Sequence, residues 1–149
     1  MKVLFIRYSS IGDIVLTFPA VSSFKEKYPD SEIVFLTKPS YLLLLEANLH
    51  IDRKMAFNGS ILETRKQIKK EKFDVIIDLH KNIRSYSVSF FAARRIYRFS
   101  KLNILKALLT KLKLDCLPDK HVVDRYLETL KHLGIHEPSK SNCFHIPEN

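Results

Sequence analysis

The first strand and the first helix of the chain meet within residues 3–15, which read VLFIRYSSIGDIV. The apolar run at 3–6 predicts a buried β-strand, and the helical spacing of the apolar residues that follow predicts a helix over residues 12–28. Pro19 lies inside that helix and indicates a kink or a later start. A carboxylate, Asp13, therefore stands in the first turn of a helix that directly follows a strand.

The alternation of strand and helix continues along the chain. Further strands are predicted at 33–36, 51–57, 73–79 and 95–99. Helices are predicted at 41–46, 86–93, 102–112 and 121–133. Another helix is predicted to begin after Ser60, which would cap it, with Glu63 completing a capping box. The run at 73–79 is almost continuously apolar, which is typical of a strand buried on both faces of a parallel sheet. The sequence therefore predicts an α/β fold with a doubly wound, mainly parallel sheet.

Composition narrows the class of protein and of partner. The 149 residues predict one domain, and 25 Lys and Arg against 16 Asp and Glu give a net charge of +9, which favours an anionic partner. That partner could be a nucleic acid, a phosphorylated small molecule or an anionic lipid surface, and charge alone does not choose among them. Cys116 and Cys143 are isolated and predict reduced thiols. No secretory signal and no run of about 18 apolar residues is visible, so we expect a cytoplasmic protein.

Polar residues follow three of the predicted strands. In open parallel sheets, ligands bind beyond the carboxyl ends of the strands, where loops and helix starts converge. That rule gathers at one edge Ser9, Ser10, Asp13, Lys38, Ser40, His80, Lys81 and Arg84. One acid, several cations and several hydroxyls from distant loops thus predict a ligand site.

Asp13 has two candidate roles. As a helix cap it would accept backbone N–H bonds and interact favourably with the helix dipole, for about 0.5–2 kcal/mol. As a general base it would take a proton from a sugar hydroxyl or a similar group. The helix start lowers the pKa of a carboxyl, so the base role requires late proton transfer or compensating burial. The sequence leaves both roles open.

The neighbours of Asp13 and the loop after the later buried strand are also open to two interpretations. Gly12 would let a ligand approach the backbone closely, but the stretch is neither GxGxxG nor a P-loop. Ser9 and Ser10 either bind a polar ligand or satisfy the turn. Lys81 and Arg84 are either solvated surface charges or ligands for phosphate or carboxylate, with Arg84 suited to bidentate contact.

A strongly basic segment follows, with seven basic residues and no acidic one between 94 and 113. Its leucines at helical spacing predict a core-facing helix with a solvated basic back, or alternatively a basic surface for an anionic membrane. The sequence carries no helix-turn-helix, zinc or RNP motif, so we do not expect nucleic acid as a partner. Its six histidines form no convincing metal set, and no metal is expected.

Several stretches together carry a family resemblance. They are 6–19 (IRYSSIGDIVLTFP), 24–25 before Pro29, 73–80 (FDVIIDLH), Asn82, 84–85, 121–127 (HVVDRYL) and 133–135 (LGI). With them the chain resembles the amino-terminal half of the ADP-heptose:lipopolysaccharide heptosyltransferases, glycosyltransferase family 9. The first stretch is fairly specific, the others are supportive, and together they span nearly the whole chain.

The resemblance implies a GT-B architecture of two Rossmann-like domains that face each other across a cleft. It implies an inverting transfer of heptose from ADP-heptose, as substrate, to the lipopolysaccharide inner core, with no metal or other cofactor. By that analogy Asp13 would deprotonate the acceptor hydroxyl, and Ser10 and Gly12 would shape the cleft beside it. We assign Arg7, Lys81 and Arg84 to anionic groups of the acceptor.

The family's donor nucleotide is bound chiefly by a second, carboxyl-terminal domain, which this chain lacks. We therefore interpret residues 1–149 as the acceptor-side domain, needing the second domain in cis or in trans and inactive alone. The resemblance also suggests peripheral contact with the inner face of the cytoplasmic membrane. Two other hypotheses stay open: a non-catalytic module that binds a phosphorylated glycolipid or an anionic membrane surface, and a nucleotide-binding regulator whose segment 9–13 would respond to ADP.

Overall fold

A five-stranded sheet forms the centre of the molecule. The computed structural model describes residues 1–99, 122–139 and 145. The strands are β1 (Lys2–Ile6), β2 (Glu32–Thr37), β3 (Arg53–Ala56), β4 (Val75–Asp78) and β5 (Arg95–Arg98). They lie in the order β3-β2-β1-β4-β5, and every neighbouring pair is parallel. The predicted α/β fold with a doubly wound, mainly parallel sheet is confirmed.

Helices connect the strands and cover both faces of the sheet. They are α1 (Ile11–Val15), α2 (Phe18–Lys27), α3 (Ile61–Glu71), α4 (Ile83–Ser89) and α5 (Val122–Leu130), with short 3₁₀ turns at Pro39–Tyr41, Leu43–Ala47 and Lys131–Leu133. None of the helices described is long and apolar enough to cross a membrane.

The central strand β1 divides the core in two. Val3 and Phe5 face the cluster that includes residues of α2 and α5, whereas Leu4 and Ile6 face the cluster that includes residues of α3 and α4. All four side chains are fully buried, as the alternating geometry of a strand covered on both faces requires. The apolar run that opens the chain is therefore the middle of a two-sided core.

Several predicted boundaries move for local reasons. The single helix expected at 12–28 is two helices, because Thr17 begins a new one with Pro19 in its first turn, where the missing proline N–H costs nothing. The helix expected from residue 86 starts at Ile83 instead, since the side chain of Asn82 accepts a hydrogen bond from the Ser85 N–H at 2.8 Å. The helix expected at 41–46 is two 3₁₀ turns.

Other expectations agree with the structure at their key residues. The Ser60 hydroxyl caps α3 by accepting from the Glu63 N–H at 3.3 Å. Gly134 ends the last helical turn in the left-handed conformation, with φ of 74°. The helix predicted at 102–112 and both cysteines lie outside the described residues.

Candidate functional site

The strand order reverses at one place, between β1 and β4. Chain connections leave these two neighbours in opposite directions, which opens a crevice at their carboxyl ends. Residues 7–10 follow β1 there, and residues 79–82 follow β4. Most of the predicted site residues come from these two segments and from the start of α1.

Asp13 is held at this position by its own helix start and by the preceding strand. Its Oδ2 accepts hydrogen bonds from the Ser10 N–H at 3.1 Å and the Ser10 hydroxyl at 3.0 Å. The same oxygen pairs with Arg7 Nη2 at 2.7 Å. Among the described residues no donor is assigned to Oδ1, and the side chain is 38% exposed. The carboxylate therefore caps α1 through one oxygen and leaves the other accessible to a ligand.

The surroundings of Asp13 keep it ionised. Burial alone would raise the pKa of the Asp13 carboxyl, but the hydrogen bonds from Ser10 and Arg7 together outweigh it and hold the pKa below its ordinary value. The carboxyl is therefore a negatively charged acceptor of hydrogen bonds at neutral pH and a weak base toward water.

Arg7 connects the two sides of the crevice. Its Nη2 binds Asp13, and its Nη1 donates to the Leu79 carbonyl at 2.8 Å, so the guanidinium joins the start of α1 to the loop after β4. Its side chain is only 11% exposed. Two of its nitrogens are engaged by the protein itself, so Arg7 positions Asp13, and its assignment to an anionic group of the acceptor stays a prediction.

The loop that carries Lys81 and precedes Arg84 is organised by a buried carboxyl at the end of β4. Asp78 Oδ1 accepts from the backbone N–H of His80 at 3.0 Å and of Lys81 at 2.8 Å, and Oδ2 accepts from the Ser85 hydroxyl at 2.8 Å. Asp78 is completely buried, and burial raises its pKa despite these hydrogen bonds. The apolar run at 73–79 indicated Asp78 only as a strand residue, so this role was not predicted.

Lys81 lies in this loop and Arg84 in the first turn of α4, and both are exposed. Lys81 has a left-handed backbone, with φ of 45°. Among the described residues, Ser10 and Arg7 contact the Asp13 carboxylate, and these two cations do not. Lys81 lies two residues beyond Leu79, whose carbonyl Arg7 binds, so the cations share the β1–β4 edge with Asp13 without touching it.

Gly12 and the serines line the open side of α1. Gly12 is exposed, and a Cβ built on it meets nothing within 4 Å. Internal packing therefore does not require glycine at this position, and the open space beside it leaves room for a ligand to approach the backbone closely. Ser9 precedes a cis peptide bond to Ser10 and is partly buried. Of the other residues predicted for this edge, Lys38 and Ser40 are exposed beyond β2.

An aromatic cluster packs beneath this edge of the sheet, and the sequence pattern did not predict it. The Tyr8 ring stacks on Phe57, which follows β3, at 4.3 Å, and lies 5.0 Å from the His80 ring, which follows β4. Burial raises the pKa of the Tyr8 hydroxyl. Tyr8 thus joins three loops that are distant in the chain, and only its position beside Arg7 could have indicated this.

The charges of the site also act on Tyr126, a buried residue of helix α5. Burial raises the pKa of Tyr126, and the charges of Arg7 and Asp13 act on this side chain in opposite directions. Tyr126 packs against Phe99 at 4.9 Å between ring centroids. It lies in the quoted stretch 121–127, but helical periodicity identified it only as a helix residue. Within the described part of the chain, no group of three or more His, Cys, Asp or Glu side chains could hold a metal ion.

The fold recurs in solved glycosyltransferase structures. A family 9 glycosyl transferase from Veillonella parvula matches 99% of this chain and 46% of its own, with a TM-score of 0.73 and 20% identity. The E. coli heptosyltransferase WaaC with ADP matches 95% of this chain and 50% of its own, with a TM-score of 0.69 and 18% identity. The E. coli ADP-heptose lps heptosyltransferase II matches 94% and 41%, with a TM-score of 0.65 and 19% identity.

The resemblance to family 9 glycosyltransferases is thereby confirmed at the level of the fold. This chain spans about half the length of these structures or less. No protein-family model and no curated protein sequence matches it.

Proposed function

We propose that this chain is the acceptor-side domain of a GT-B glycosyltransferase that transfers heptose from ADP-heptose to the lipopolysaccharide inner core with inversion. The observation that carries the proposal is the Asp13 carboxylate, held at the β1–β4 crevice by Arg7 and Ser10 with one oxygen left accessible. The similarity of fold to the solved glycosyltransferases supports the reaction class. The donor nucleotide is assigned to a second domain, supplied in cis or in trans.

In the proposed reaction, the acceptor hydroxyl oxygen attacks the anomeric carbon of the donor. The bond from that carbon to the phosphate oxygen breaks, and ADP departs with the electron pair. Asp13 takes the hydroxyl proton through Oδ1. Because the pKa of Asp13 is held low, the carboxylate is a poor base for an unactivated hydroxyl, and the proton moves only once the new bond has made that hydroxyl acidic.

The remaining residues are assigned by their exposure and charge. The exposed Lys81 and Arg84 would bind anionic groups of the acceptor, such as phosphate or carboxylate. Gly12 and Ser9 would line the approach to Asp13. The proposal includes a cytoplasmic location with peripheral contact at the inner face of the membrane, since the acceptor it names is lipid-linked.

The test substitutes Asp13→Asn in a protein in which this domain is joined to a nucleotide-binding second domain. We expect kcat to fall by about 10²- to 10⁴-fold, while acceptor affinity is kept. Glu63→Gln is the matched control, because Glu63 occupies the same third position of a serine-capped helix, at the start of α3. If both substitutions lower stability alike and leave turnover alone, Asp13 is only a cap.

The isolated 149-residue chain gives a second test. We expect it to bind the acceptor and to transfer no heptose, because the donor site is assigned elsewhere. Measurable transfer by the purified chain would refute that assignment. Acceptor binding with no turnover in the two-domain protein would instead support the non-catalytic binding module.

A further inference from the structure

Helix α4 buries Val88 in the core but also carries apolar side chains on its outer face. The side chains that it turns toward the core include two serines, Ser85 and Ser89, both completely buried. Three apolar or aromatic side chains at positions i, i+3 and i+7 face outward: Ile83 is 85% exposed, Tyr86 50% and Phe90 39%. A surface helix of a soluble domain normally has a polar outer face, so this outer face is built to be covered.

The apolar surface continues beyond the end of the helix. Phe91 is 79% exposed, and its ring packs edge-on against that of Phe90 at 4.4 Å between centroids. The Phe91 backbone has φ of 51°, a conformation that favours glycine over a bulky residue. The chain thus carries a large aromatic at a turn where neither core packing nor backbone preference selects it. We call Ile83, Tyr86, Phe90 and Phe91 the α4 face.

The chain segment that carries the α4 face has positive charges alone. Between residues 79 and 99 the chain has five basic residues and no acidic one. Lys81 and Arg84 lie at the start of α4, and Arg94 and Arg95 follow its end; all four are exposed. The fifth, Arg98, lies against the inner side of the patch, with its guanidinium 4.5 Å from the centre of the Tyr86 ring.

We infer that the α4 face is a membrane-binding surface that inserts its aromatic and aliphatic side chains between anionic lipid headgroups. Exposed apolar side chains with a fringe of arginines match such an interface, since the rings enter the headgroup boundary and the cations meet the lipid phosphates. The inference deepens the proposed function, on whose peripheral membrane contact it rests, by naming the surface that makes this contact. Its test uses variants at Phe91, Arg94 and Arg95, which lie outside the Asp13 site, so a failure of vesicle binding and a failure of turnover are distinguishable.

Two other occupants fit the face less well. A second copy paired through this face would bring five cations opposite five cations in a protein of net charge +9, which repels. A domain seated across the site edge could cover Ile83 at the start of α4. Such a domain would leave Phe90 and Phe91 exposed, because they lie at the other end of the helix, where the chain turns back toward β5.

The absence of tryptophan from the chain makes the test direct. Phe91→Trp places a single fluorophore on the α4 face, and Leu43→Trp is the matched control, because Leu43 is equally exposed at 76% but lies between β2 and β3. With the whole chain and vesicles of phosphatidylglycerol, we expect a blue shift at position 91 and none at position 43. Neutral phosphatidylcholine vesicles should give little or no shift.

Further variants test the apolar and the electrostatic contributions to membrane affinity separately, with vesicle co-sedimentation as the measurement. Phe91→Ser should weaken binding by about tenfold or more through lost apolar burial. Arg94→Ala and Arg95→Ala should each weaken it by about fivefold, and high salt should weaken binding of the unaltered chain. Leu43→Ser should change nothing. Since these side chains are exposed, thermal unfolding of all variants should match that of the unaltered chain.

Three results would overturn the inference. The first is failure to bind phosphatidylglycerol vesicles, and the second is equal fluorescence shifts at positions 91 and 43. The third is an emission at position 91 that is already blue-shifted in the absence of vesicles, which would mean that the protein itself covers the face. If that shift depends on protein concentration and Phe91→Ser abolishes self-association in sedimentation, the occupant is a second copy.

Discussion

Removal of the Asp78 side chain should both destabilise the domain and disorganise the loop that bears Lys81. In Asp78→Ala, the backbone N–H groups of His80 and Lys81 lose their carboxylate acceptor at 3.0 and 2.8 Å. The Ser85 hydroxyl loses a partner as well, but it retains a contact of 3.1 Å to the Asn82 carbonyl. The loss of the Ser85 hydrogen bond to Asp78 therefore adds little to the destabilisation.

The expected cost follows from those two N–H groups. A buried donor left without its acceptor costs about 1–3 kcal/mol, and Lys81 lies at the surface where water can replace part of the bond. We expect Asp78→Ala to lower the free energy of unfolding by about 2–4 kcal/mol, and Tm by about 5–15 °C. Asp78→Asn keeps one carbonyl oxygen for the two N–H groups and should cost about 1 kcal/mol.

Urea denaturation followed by circular dichroism measures both variants. Asp74→Ala is the control at the other end of the same chain segment, because Asp74 accepts a single backbone hydrogen bond, from the Lys2 N–H at 2.7 Å. Its cost should be smaller than that of Asp78→Ala. Equal losses for the two alanine variants, or a stable Asp78→Ala with native amide exchange at His80 and Lys81, would refute the assignment of Asp78 as the anchor of this loop.

Two further predictions concern the base of the sheet and the start of α1. Hydrogen bonds from Arg53 and Lys2 lower the pKa of Glu71 to about 2, below the 4.5 of the unfolded chain, so its stabilising contribution should be complete above pH 4.5 and lost as the pH falls toward 2. Glu71→Gln should therefore flatten the dependence of unfolding free energy on pH in urea titrations, whereas Glu63→Gln should not. Gly12→Ala should raise the free energy of unfolding by about 0.5–1 kcal/mol, because the new Cβ meets no other atom. The same substitution should lower turnover in the two-domain protein if the acceptor approaches the backbone at Gly12. A lower stability of this variant would contradict the open geometry at Gly12.

Much of the architecture could be predicted because it depends on local patterns. The apolar runs around Val3 and Val75 identify strands buried on both faces, and Ser60 and Gly134 mark helix ends by their own chemistry. Boundaries were less accurate where a capping side chain decided between several adjacent starts, as Asn82 does for α4. Patterns of apolar spacing do not contain that choice.

The candidate site was predictable in its location and less so in its contacts. Parallel strands bring their carboxyl ends to one edge, so Asp13, Lys81 and Arg84 could be assigned to it from strand positions alone. The hydrogen bonds of Arg7 could not be predicted from strand positions, because they join Asp13 to Leu79, 66 residues further along the chain. The sequence likewise contains no local sign that the charges of Arg7 and Asp13 act on Tyr126 of α5.

The sequence by itself determined the alternation of strands and helices, the parallel sheet and the edge where polar loops meet, since each follows from spacing along the chain. The tertiary structure alone decided that Arg7 and Ser10 hold one oxygen of Asp13, that Asp78 anchors the loop after β4, and that Ile83 and Tyr86 of α4 face outward. The physical reason is that hydrogen bonds and burial are set by neighbours in space. Those neighbours are fixed only when β1, β4 and the helices pack around the same core.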